Sequence, residues 1–168
     1  MNKTIEKSLQ NLHGNQLFDQ ITNLLVEHLS PKHCFIGCFD DSQNYANTLS
    51  YRDAGKLKDN FTYSLLGTPC QEVKTTSLSC CYPSDVIALF PQDVALQELD
   101  AEAYLGVPVF AQSCEPVGII VCLFEEHYEH SEESKAWCDE LSYFLGMELK
   151  YSALLSKQEK LQWELEEG

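Results

Sequence analysis

Apolar residues recur at helical spacing through the first thirty positions. Ile5, Leu9 and Leu12 share one helix face, and Gly14 is expected to break that helix. From about Asn15 a second helix is predicted, because Leu17, Phe18, Ile21, Leu24, Leu25 and His28 recur three and four apart. Ser30 and Pro31 end it. The period then changes. Residues 33–40 (HCFIGCFD) form a short, β-rich apolar run, which predicts a buried strand. DSQNYAN follows as a polar loop, TLSYRD as a strand and DAGKLKDN as a turn. A third strand is expected over 61–66, running into GTPCQEV. Residues 68–99 are irregular in pattern. They hold two short helical candidates, 84–90 and 93–99, each preceded by a proline and a capping-type residue. Strands are predicted over 101–110 and 116–126, joined by AQSCE, a hairpin-length loop. The last helix begins near Ser131 and runs almost to the end.

Short loops between strands favour an antiparallel sheet, and helices that bracket the strands favour one helical layer. The fold class is therefore α+β. The last helix carries a second pattern. Phe144, Met147, Tyr151, Leu154, Gln158, Leu161 and Leu165 alternate in steps of three and four, the a and d positions of a heptad. Gln158 is the single polar residue in that seam. As far as about Tyr151 the stripe can pack on the sheet of its own chain. Beyond it, no segment is left to cover the stripe, so a parallel homodimeric coiled coil leading to an effector module is expected. The chain divides into an N-terminal helix (1–14), the α+β domain (15–151) and a C-terminal signalling helix (152–168).

Composition narrows the partners. The chain has 168 residues, about one domain, and 44% are hydrophobic, enough for one core. It has 26 Asp and Glu against 11 Lys and Arg, a net charge of −15. No Lys/Arg cluster is present, which argues against nucleic acid and against an anionic membrane as partners. There is no apolar run of membrane-span length and no secretory h-region at the start, so the expected compartment is the cytoplasm. There the eight cysteines read as reduced thiols. Cys34 and Cys38 would lie about 13 Å apart on an extended strand, too far for a disulfide. Cys122 lies in an apolar strand and reads as packing. Cys80 and Cys81 would face opposite sides of a strand. Cys70, near an expected helix start, and Cys80 are the best redox candidates. His127 and His130 sit among Glu126, Glu129, Glu132 and Glu133, which reads as a solvated loop rather than a metal site. No phosphate-binding glycine motif occurs. No catalytic residue, metal site or identified cofactor is assigned.

Four segments, YSLLGTPCQEV (63–73), CCYPSDVIALFPQD (80–93), AEAYLGVPVF (101–110) and PVGIIVCLFEE (116–126), together resemble a GAF domain. The last two resemble that family's signature hairpin, and the resemblance spans roughly residues 16–151. It implies a six-stranded antiparallel sheet with the terminal helices on one face. The irregular insert would cover the other face and enclose a ligand pocket. It also implies a regulatory module of the kind found in histidine kinases, diguanylate cyclases and transcription activators. Ligands in the family include cyclic nucleotides, haem, bilins, metals and small metabolites. The cyclic-nucleotide and bilin signatures are absent here. From the segments that line the pocket in relatives, together with strand alternation, the expected ligand-binding residues are Tyr63, Leu65, Cys70, Cys80, Tyr82, Phe90 and Tyr104. Three functions follow as expectations. The first is a sensor that binds a small molecule and signals through its C-terminal helix. The second is a thiol redox sensor or methionine-sulfoxide-reductase-like enzyme. The third is a ligandless dimerisation domain.

Overall fold

The computed structural model describes residues 3–167, with side chains from Ile5 onward. Met1, Asn2 and Gly168, at the ends of the expected 1–14 and 152–168 segments, lie outside it. Helix α1 (Lys3–Leu9) stops earlier than the sequence pattern suggests. Asn11 makes the turn in left-handed geometry (φ 66), a conformation Asn tolerates, and Gly14 opens the next helix instead of closing this one. Helix α2 (Gly14–Leu29) ends where Ser30 adopts left-handed geometry and its N–H caps the Val26 carbonyl.

Strand β1 (His33–Phe39) follows, then β2 (Tyr45–Asp53), β3 (Lys56–Lys58) and β4 (Thr62–Ser64). Strand β2 begins three residues before the expected TLSYRD strand, and β3 occupies an expected turn. Residues 45–47 of β2 and all of β3 escape a hydrophobicity reading because their pattern is not apolar. The buried positions of β2 include Thr48 and Ser50. Their hydroxyls are satisfied locally: Thr48 donates to Asn60, and Ser50 donates to Asp19 of α2 at 2.8 Å. Arg52 extends this tie, donating to Thr22 Oγ1 and to the Asp19 carbonyl.

The insert is more regular than its pattern. Helix α3 (Pro69–Thr76) has proline in its first turn, and the Thr68 hydroxyl accepts the Gln71 N–H as its cap. Strand β5 (Cys80–Tyr82) and the short helices α4 (Val86–Leu89) and α5 (Val94–Glu98) complete it. The hairpin β6 (Ala103–Val109) and β7 (Gly118–Phe124) is buried along its whole length. Helix α6 (Glu132–Glu167) is one continuous helix of 36 residues.

All strand pairs are antiparallel, in the order β3-β2-β1-β7-β6-β5. Strand β4 pairs the other half of β2, so β3 and β4 share one edge column. The sheet is thus six positions wide and separates two cores. On one face Ile5, Leu17, Ile21 and Leu25 of α1 and α2, with Leu141 and Leu145 of α6, pack on Ile36, Leu105, Val107 and Ile120. On the other, Cys70, Val73, Val86 and Leu96 of the insert pack on Phe35, Tyr104, Ile119 and Val121. Alternate strand positions feed opposite cores, as a pleated strand requires.

Candidate functional site

Tyr104 stands near the start of β6, facing the insert. Two positions on, on the same face, is Gly106 of the Leu105-Gly106-Val107-Pro108 run. A Cβ at 106 would come within 2.8 Å of both the Tyr104 ring and Val73. The bare glycine therefore lets the Tyr104 ring lie down under α3. Its hydroxyl donates to Cys70 Sγ at 3.1 Å. Tyr63, from the sheet edge, donates to the same sulfur at 3.4 Å. Burial pushes the Cys70 thiol up to about 11, although both phenols favour its thiolate. Burial also holds Tyr63 and Tyr104 well above the ordinary phenol value. At neutral pH all three groups are uncharged.

This cluster borders a small cavity of about 40 Å³. Its sheet wall is Phe35, Val121 and Leu123, with Tyr104. Its outer wall is Phe61, Tyr63 and Cys70, with Asp93, Ala95, Leu96 and Leu99 around α5. The rings meet edge to face, Phe35 with Phe61 at 5.4 Å and with Tyr63 at 5.5 Å, an arrangement that aromatic quadrupoles favour. Asp93 caps α5 by accepting the Leu96 N–H at 3.3 Å, and burial raises its pKa. Among the described residues, no Lys, Arg or His lines the cavity.

Of the seven expected ligand residues, Tyr63, Cys70 and Tyr104 therefore converge. Leu65 is fully buried in the same layer but does not border the cavity. Tyr82 and Phe90 pack against each other at 5.1 Å, with the Tyr82 ring 6.0 Å from Tyr104. Cys80 belongs to this layer as well, its sulfur near the Leu78 carbonyl, whereas Cys81 packs with the opposite core. Phe35, Phe61, Asp93, Leu96, Leu99, Val121 and Leu123 were not singled out from the sequence. Strand alternation marks Phe35, Val121 and Leu123 as one face, but only the tertiary fold lays α5 over them.

The surroundings of the thiols bear on chemistry. Cys34, Cys38, Cys70, Cys80, Cys81, Cys122 and Cys138 are all shifted upward, in each case chiefly by burial. A nucleophilic thiol needs the opposite shift. At the far loop, His127 reaches Glu129 and His130 reaches the Tyr128 hydroxyl.

The second feature is the exit of α6. Gly146 sits against the end of β6, where any Cβ would strike the Phe110 carbonyl oxygen. Two residues later the buried Glu148 carboxylate accepts the Gly14 N–H and bonds the His13 ring, both at 2.9 Å. A carboxylate at the start of α2 also suits that helix's dipole. Tyr151 packs on the His13 ring at 5.1 Å. From there to Glu167 every residue is exposed. Within the predicted seam, Phe144 is half-buried on its own core, while Met147, Tyr151, Leu154, Leu161 and Leu165 are about half exposed or more. No described helix is long and apolar enough to cross a membrane.

No family model matches the chain, and no curated protein sequence matches it. Solved structures do. The GAF domain of a phosphoenolpyruvate-protein phosphotransferase from Coxiella burnetii superposes with a TM-score of 0.74 at 19% identity, covering 92% of this chain and 94% of that one. The corresponding GAF domain from Acinetobacter gives 0.70 at 11% identity, covering 92% and 93%. The A. aeolicus nlh2 GAF domain in an inactive state gives 0.63 at 16% identity, again covering 92% and 93%. At these identities the likeness establishes the fold. The chain has the fold of a GAF domain.

Proposed function

We propose that this GAF-fold domain is a non-enzymatic cytoplasmic sensor. A small molecule binds between the sheet and the insert. Binding changes how α6 pairs with the same helix of a second copy, and an effector module beyond α6 reads the change. The fold supports a regulatory domain in general terms. The observation that carries the finer proposal is the two-sided sheet. A thiol–phenol cavity lies on one face, and on the other lies a helix that leaves the domain with its apolar stripe uncovered.

The two faces communicate through shared strands. β6 supplies Tyr104 to the cavity and Leu105, Val107 and Val109 to the helical core. A ligand that favours one arrangement of that hairpin therefore shifts the α6 equilibrium by its difference in affinity for the two arrangements. The upward-shifted thiols favour binding over redox chemistry at this site. The acidic surface favours neither nucleic acid nor membrane as partner.

Native mass spectrometry of freshly purified chain tests the binding half. The expected result is an added mass of a small organic molecule that is lost on mild activation. A clean apo mass, unchanged on incubation with cell metabolite extract, would shift the function to ligandless dimerisation.

A further inference from the structure

The geometry points to an uncharged ligand, mostly apolar and carrying one O–H or N–H donor, as the occupant of the insert-face cavity. This rests on the insert face being the binding side.

An anion finds nothing to hold it. Among the described residues the lining contains no Lys, Arg or His, and Asp93 offers no positive charge in either protonation state. Transfer of an unpaired charge from water into hydrocarbon walls is strongly opposed. A cation fares little better. Asp93 Oδ1 already accepts the Leu96 N–H. The carboxyl also caps Ala95, and its burial favours the neutral form, so it makes a poor counter-ion.

The polar cluster has a definite sign. Tyr63 and Tyr104 both spend their O–H on Cys70 Sγ. Each phenol oxygen keeps a lone pair, so what the two phenols offer a ligand is hydrogen-bond acceptors. The rest of the wall is the hydrocarbon of Phe35, Phe61, Leu96, Leu99, Val121 and Leu123. The present volume, about 40 Å³, is far below that of an ordinary ligand pocket. The occupant must displace a wall. Strands β1, β7 and β6 are each paired on both sides, so the wall that gives way is the outer one, the five-residue α5 and three-residue β4.

Benzyl alcohol, benzylamine and benzoate share a ring and a length and differ in charge. Titrated into the ¹⁵N-labelled full chain, benzyl alcohol is expected to shift the amide signals of Cys70, Leu96 and Tyr104 saturably. The two charged probes should bind there at least roughly tenfold more weakly. Tyr63→Phe should weaken benzyl alcohol about threefold and leave toluene unchanged. Tighter binding of benzoate or benzylamine at these residues would overturn the ligand class while leaving the binding face in place. An unchanged alcohol affinity in Tyr63→Phe would overturn the assigned acceptor. If no probe moves these signals, the class and the insert-face site both fall.

Discussion

Asp93 holds two roles that pull against each other. Its carboxylate caps α5, which favours the charged form, while burial favours the neutral form and wins, so its pKa is raised. A raised carboxyl pKa contributes stability that is fully present below the ordinary value near 3.8 and is lost as pH rises through the folded value. Asn caps as well as Asp and carries no charge. Asp93→Asn should therefore raise the melting temperature at neutral pH, and the gain should shrink as pH falls toward 3.8. Thermal unfolding at several pH values checks this, and a lower melting temperature at neutral pH would contradict it. Tyr63, Cys70 and Tyr104 could be named from the sequence because their segments carry the family pattern. Asp93 read only as a helix cap. Nothing local reveals that the same carboxyl borders a cavity built from β1, β4, β6 and β7.

Among the elements, α6 separates most clearly into two parts. As far as Glu148 it is held by packing, by the close approach at Gly146 and by the carboxylate tie to His13 and Gly14. Beyond Tyr151 every described residue is exposed, its apolar stripe included. The heptad spacing was legible because it is a one-dimensional pattern. Its inner limit, expected at about Tyr151, leaves room for Phe144, which fits the seam by spacing, to pack on its own core. Strand β2 was only partly legible, since its inward residues are small or hydroxylated and bond to α2 and to the β3–β4 loop. On this account the chain cut after Tyr151 should sediment as a monomer at concentrations where the full chain is dimeric. Equal association of the two would remove the coiled coil.

The molecule as a whole is a sheet with different layers on its two faces. Element order and short loops were enough to predict one helical face, and the resemblance to GAF domains implied the insert face. They were not enough to predict how tightly the insert closes, because that depends on ring packing among Phe35, Phe61 and Tyr63 across distant segments. A filled insert face and a free helix stripe make sense together if occupancy of one changes the pairing of the other. Thermodynamic linkage then requires that ligand alter the dimer dissociation constant, and that dimerisation alter ligand affinity by the same factor. The most direct measurement is sedimentation equilibrium of the full chain with and without the small molecule recovered from the purified protein. The account predicts a shift in the dissociation constant of roughly fivefold or more. A dissociation constant that stays the same with the cavity saturated would contradict it.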